Sequence, residues 1–229
     1  MPLQGNIILP KRELITGSAM TKISTRYWFY QRIALAYLGA ISLAYAVLLE
    51  LPLHVFVIFL AMVIPGIISP KNACKAISLP YVKRILFNYC GSVVPFFVAL
   101  TILLSGNTPW HHTLVMSVTS IAIISLHTYI TSKTVLVNVI RYFITFTSLA
   151  MAFLNINEVL YVLPFAAVIG IILGSDIIPF TISLANGKIA SHKRIIVGGL
   201  MALDSISLVL MLSITILSIV YYTLLAFTT

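Results

Sequence analysis

Asp176 and Asp204 are the only aspartates among 229 residues, and each interrupts a long apolar run. A carboxyl held away from water favours its neutral form, so such a group can exchange a proton or bind a cation where an exposed carboxylate would simply stay ionised. Asp176 sits in Leu173-Gly174-Ser175-Asp176-Ile177-Ile178-Pro179, and Asp204 follows Gly198-Gly199. The basic loop between them centres near Ala190, 14 residues from each. At a rise of roughly 1.5 Å per residue, the two carboxyls lie at similar depth on adjacent antiparallel helices and can face each other.

Other polar residues map to the same leaflet. Asn88 follows Arg84 by four positions, His127 precedes Lys133 by six, and Asn138 and Arg141 come five and eight after it. With the aspartates they form a candidate ligand- or ion-binding set on five helices, consistent with a cavity open to the cytoplasm. The alternative is structural: Arg141 paired with Asp176 or Asp204, fixing helix contacts. Glycine and proline mark breaks and close approaches nearby. Gly170 and Gly174 are spaced as a small-xxx-small pair, and Pro179 frees a backbone carbonyl one turn after Asp176. Gly91-Ser92-Val93-Val94-Pro95-Phe96 echoes Gly174-Ser175-Asp176-Ile177-Ile178-Pro179-Phe180, and Gly198-Gly199 precede Asp204.

The elements that hold these residues are membrane helices. Hydrophobic residues make up 60% of the chain and charged ones 8%, against about 25% charged in soluble domains. Mean hydropathy is +1.09, and no soluble core hides so much apolar surface. The fold class is therefore all-α, a polytopic bundle of about seven transmembrane helices. Residues 1–26 form a cytoplasmic tail and 27–229 the transmembrane domain. The apolar runs are 33–49, 54–69, 85–104, 113–130, 135–154, 159–185 and 195–227, most near the length a hydrocarbon core of roughly 30 Å requires. The last run exceeds one perpendicular span, so residues 195–202 are either helical or an interfacial, re-entrant piece. No apolar core suited to a cleaved signal follows the first charges. Cys74 and Cys90 lie near one membrane face and read as free thiols.

Charge sets the orientation. With the N-terminus inside and the C-terminus outside, thirteen of the fourteen basic residues fall in inner regions: Lys11, Arg12, Lys22, Arg26, Arg32, Lys71, Lys75, Lys83, Arg84, Lys133, Lys188, Lys193 and Arg194. The fourteenth, Arg141, lies in the inner half of the fifth helix, and the outer loops hold none, as the positive-inside rule expects. The localisation is the cell membrane. The expected partners are the bilayer, anionic lipid at the cytoplasmic face and other membrane proteins; nothing suggests nucleic acid.

At Asn88-Tyr89-Cys90-Gly91-Ser92-Val93-Val94-Pro95, Leu173-Gly174-Ser175-Asp176-Ile177-Ile178 and Gly198-Gly199 with Asp204 five positions later, the chain resembles a family of archaeal and bacterial polytopic membrane proteins. That family is known as domain of unknown function sixteen-fourteen. The likeness covers roughly the last 145 residues in order and spacing. It implies a shared membrane fold with two intramembrane aspartates and no assigned activity. Met201 and Ser205 stand where family members carry further glycines.

Three functions fit these residues. A small proton- or cation-linked carrier would use the aspartate pair as its binding site. A structural or accessory subunit of a membrane complex would use it to fix helices. An intramembrane aspartyl protease would share one proton between the carboxyls and activate water, with Asp176 and Asp204 as the catalytic candidates. The segment 173–179 is similar to the Gly-x-Gly-Asp element of presenilin-type enzymes, but Ser175 replaces its second glycine, no Tyr-Asp precedes it, and a Pro-Ala-Leu element is missing. An enzyme is thus the less favoured class. His111-His112 sit in an outer loop with no nearby ligand to complete a metal site. No P-loop or dinucleotide fingerprint is present, and neither a metal nor a cofactor is expected.

Overall fold

The computed structural model describes residues 25–79, 82–130, 135–187 and 195–228. Most of the N-terminal tail, with Lys11, Arg12 and Lys22, lies outside the described residues, as do Lys133 and the loop residues Lys188, Lys193 and Arg194.

The described chain is mostly helical. Helix α1 spans Thr25–Leu48, α2 Leu53–Ile68, and the short α3 Pro70–Ala73. Two strands follow, β1 Ala76–Leu79 and β2 Val82–Asn88, leading through a π turn at Tyr89–Val93 into α4, Val94–Ser105. Helix α5, Trp110–Leu126, is joined by β3 Thr128–Ile130 and β4 Val135–Val137 to α6, Val139–Phe153. Then come α7 Ile156–Gly170, a second π turn at Ile171–Ile177, and α8 Ile178–Ala185. The last segment is β5 Ile195–Val197, a 3-10 turn at Met201–Leu203, and α9 Ser205–Thr228.

Three helical stretches are long and apolar enough to cross a membrane: Arg26–Leu48, Ile156–Ala185 and Ser205–Phe227. Four more, Leu53–Ile68, Tyr89–Ser105, Trp110–Leu126 and Val139–Phe153, are apolar but shorter. Helix α7 lies in the middle, packed against α4, α5, α6 and α9. Val159, Leu160, Val162, Leu163, Ala166, Ala167 and Val168 are buried around its whole circumference, the pattern of a helix enclosed by others. Outer helix faces carry exposed Leu53, Ile68, Leu104, Val118 and Ile144, apolar surface that suits lipid better than water.

The seven apolar runs each contain a helix, and the fold is mostly helical as expected, but helices are not all of it. Among the described residues are five short strands, gathered at one end of the bundle. β1 pairs antiparallel with β2 in the register Ala76 with Asn88, Ile77 with Phe87 and Ser78 with Leu86. β2 also pairs in parallel with β5, Ile85 with Ile195 through Phe87 with Val197, and β3 pairs with β4. The third run therefore becomes helical at Tyr89 rather than at residue 85, the fourth stops at Leu126, and the fifth starts at Val139. Short apolar stretches such as Ile85-Leu86-Phe87 fit strand and helix equally by periodicity; here the available strand partners decide. At the head of the last run, β5 and the 3-10 turn form the non-helical option for 195–202.

The cysteines require a second correction. Cys74 and Cys90 form a disulfide, with Cα atoms 4.9 Å apart. The β1–β2 register continues beyond the strands, where Tyr89 N–H donates to Lys75 O at 3.1 Å. Extending that ladder one step sets residue 74 opposite residue 90, so pairing of the strands delivers the thiols to each other.

Candidate functional site

Asp204 is fully buried and stands at the head of α9 in extended conformation, φ −73° and ψ 157°. Its Oδ1 accepts the Ile206 N–H at 3.3 Å and the Ser205 hydroxyl at 3.1 Å. Oδ2 accepts the Leu200 N–H at 3.2 Å. An aspartate here satisfies an orphan amide of the first helical turn and places negative charge at the positive end of the helix dipole. It also closes the turn that precedes the helix.

That turn is tightly held. Gly198 and Met201 have φ of 74° and 57°, the left-handed region that favours glycine. A Cβ on Gly91 would collide with the carbonyl oxygen of Gly198 and with Met201 O at 2.5 Å, and one on Gly198 would meet Gly91 C at 2.5 Å. Two backbones thus touch where only glycines permit it. Gly199 is less constrained, its nearest neighbour being Ile196 O at 3.3 Å. From the other side, the buried Gln31 of α1 donates to Leu200 O at 3.1 Å and accepts the Ala202 N–H at 2.8 Å. The Tyr27 hydroxyl donates to Leu200 O at 3.3 Å. Gln31 is outside the expected site set, because an amide beside Arg32 near the start of α1 carries no local mark of this contact.

The first π turn is organised by Asn88, whose Oδ1 accepts the Gly91 N–H at 3.0 Å and whose Nδ2 donates to Cys74 O at 2.9 Å. The Ser92 hydroxyl donates to Asn88 O at 2.8 Å. Each π turn ends two residues before a proline, Pro95 in α4 and Pro179 in α8. A proline ring clashes with the carbonyl four residues back and supplies no N–H, and a widened turn relieves both defects. The echo between the two Gly-Ser…Pro-Phe motifs thus corresponds to a repeated local structure.

Asp176 lies in the second π turn, 1% exposed, with Oδ1 3.1 Å from the Ser175 hydroxyl. That hydroxyl also donates to Ile171 O at 2.8 Å. Gly170 and Gly174 bring this segment onto α5: a Cβ on the first would collide with Ser120 Oγ, and on the second with the Ile124 side chain. Ser120 Oγ and Tyr142 OH are 2.5 Å apart, and Tyr142 donates onward to Ala167 O at 3.1 Å. The second π turn packs against β5 and α9, and the first against the 3-10 turn and α9. Asn88 and Gly91 thus adjoin the turn before Asp204, while the turn carrying Asp176 packs chiefly on α5 and also touches β5 and α9.

The remaining three residues of the expected set lie on the α5–α6 side. Asn138 caps α6 by accepting the Arg141 N–H at 3.2 Å, and its own N–H donates to His127 O at 3.0 Å. His127 ends α5. The Arg141 side chain is exposed. Among the described residues the only ion pair is His112 with Glu158, Nδ1 to Oε1 3.0 Å, so Arg141 is not locked to either aspartate. That pair also corrects the reading of His112 as lacking an acidic neighbour. No group of three or more His, Cys, Asp or Glu able to hold one metal ion occurs among the described residues. No protein-family profile, curated protein or solved structure matches the chain.

Proposed function

We propose that this chain is a seven-span protein of the cell membrane, N-terminus inside and C-terminus outside, acting as a small proton- or cation-linked carrier. The carrying observation is that both buried aspartates lie in departures from α-helix, Asp176 in the second π turn and Asp204 at the broken start of α9, and that both π turns pack against α9. Irregular backbone at membrane depth is tolerated only inside protein or along a water-filled path. Discontinuous helices around intramembrane carboxyls are the usual construction of transporter sites. In this reading Asp176 binds the ion, and Asp204 holds the turn that rearranges around it. The four shorter helices complete their crossings through the strands and loops at the inner interface. Exposed Arg26, Arg32, Lys71, Lys75 and Arg84 meet anionic lipid there. The resemblance to the sixteen-fourteen family belongs to the same proposal. The hydrogen bonds from Leu200, Ser205 and Ile206 occupy both oxygens of Asp204, which favours a carrier over a protease needing two carboxyls open to one water.

The test is ion flux in proteoliposomes. Asp176→Asn abolishes proton- or cation-dependent flux while the protein still folds, and Asp204→Asn slows it. Unchanged flux in both variants rejects the carrier, and cleavage of a transmembrane peptide that either substitution stops would replace it with the protease.

A further inference from the structure

A second candidate site lies at the other end of the bundle, where the α1–α2, α4–α5 and α6–α7 connections meet the end of α9. They enclose an open cleft of about 530 Å³, within the range of small-molecule sites. The described residues contain two glutamates, Glu50 and Glu158, and both line it. Tyr161 and Tyr221 form part of its wall. Asn107 and Asn157 add amide groups, and no Lys or Arg among the described residues lines it. The wall is fixed: a Cβ at Gly106 would collide with the Tyr161 ring, and Glu158 is anchored by His112 and by the Asn155 N–H at 3.3 Å.

Each property selects against a class of ligand. Glu158 is engaged by His112, but Glu50 has no basic partner among the described residues and disfavours an anion. The volume far exceeds one ion, and no cluster of three metal-ligating side chains is present among the described residues. Carboxylates beside phenol rings instead attract a cation that also has apolar surface, because the ring faces add their quadrupole to the carboxylate charge. We propose that this cleft binds an organic ammonium group, carried either by a free solute or by a lipid headgroup. The proposal stands independently of the aspartate site.

Equilibrium dialysis of labelled choline against the protein in phosphatidylglycerol nanodiscs tests it. Saturable binding is expected, with no competition from the neutral isostere in which a tert-butyl group replaces trimethylammonium. Glu50→Gln should weaken binding by at least about fivefold, and Tyr221→Leu similarly, with melting temperatures showing that both variants remain folded. If phosphatidylethanolamine in the discs displaces choline, the ammonium comes from lipid; if not, from a free solute. Absent saturation, equal competition by the isostere, or undiminished affinity in folded Glu50→Gln would overturn the assignment. Calcium alone binding more tightly than choline and expelling it would also overturn it.

Discussion

Gly91 and Gly198 pack backbone against backbone, so closely that a Cβ on Gly198 would stand 2.5 Å from the carbonyl carbon of Gly91. The first π turn and the turn before Asp204 are therefore one packed unit. Gly91→Ala or Gly198→Ala must push them apart, at an expected cost of about 3 kcal/mol or more, since overpacking alone takes roughly 1–3 and Gly198 adds left-handed strain. Gly187→Ala is the control: its φ of 66° is also left-handed, but nothing lies within 4 Å, so about 1 kcal/mol is expected. Chemical denaturation in detergent ranks the three, and equal effects would show that the close contact is absent.

Gln31 acts on the same turn through two hydrogen bonds. Gln31→Leu leaves the buried Ala202 N–H without its acceptor, an expected loss of about 2–4 kcal/mol. Gln31→Glu keeps an acceptor for Ala202 and loses the donor to Leu200, so it should fall between. Hydrogen exchange across 198–204 reads the effect directly: faster exchange there, with α7 unchanged, is the expected result.

The Cys74–Cys90 bond closes a loop with a sequence separation of 16 residues, for which chain-entropy arguments give about 3 kcal/mol of stabilisation. Intact mass after alkylation without reductant should show no free thiols. Cys74→Ser with Cys90→Ser should lower stability by roughly that amount. Labelling of both thiols in the untreated protein would show that the bond does not form.

Arg141→Gln should change stability by less than about 1 kcal/mol, because an exposed side chain with no ion partner among the described residues contributes little. A loss of about 3 kcal/mol or more would point instead to a buried pair with one of the aspartates.

The apolar helical stretches were legible because apolar runs of this length have few alternatives, whereas Asp204, expected inside the last run, stands at the start of α9. The strands were not legible. Ile85-Leu86-Phe87 and Ile195-Ile196-Val197 are continuous with the apolar runs after them, and only their mutual pairing sets them apart. The disulfide was hidden for the same reason, since it follows from a register invisible in cysteine spacing. Six polar residues at one depth suggested one cluster. Depth carries no information about direction around a helix: Asn88 organises the turn beside Gly198, Asn138 caps α6, and the Arg141 side chain is exposed and makes no ion pair among the described residues. Gln31 was missed because nothing in its own segment reveals a turn 169 positions away.

The parallel pairing of β2 with β5 orders the biogenesis of the site. Ile85 waits for Ile195, 110 positions later, and most of the chain's helices leave the ribosome in between. The β1–β2 hairpin and its cysteine pair are local and can close early, whereas the other edge of β2 stays unpaired until residues 195–197 have been made. The Gly198 turn that meets Gly91 follows β5 directly, so that contact too must wait for the same segment. A chain stalled before residue 195 would therefore hold most of the helices described yet lack the turn that positions Asp204.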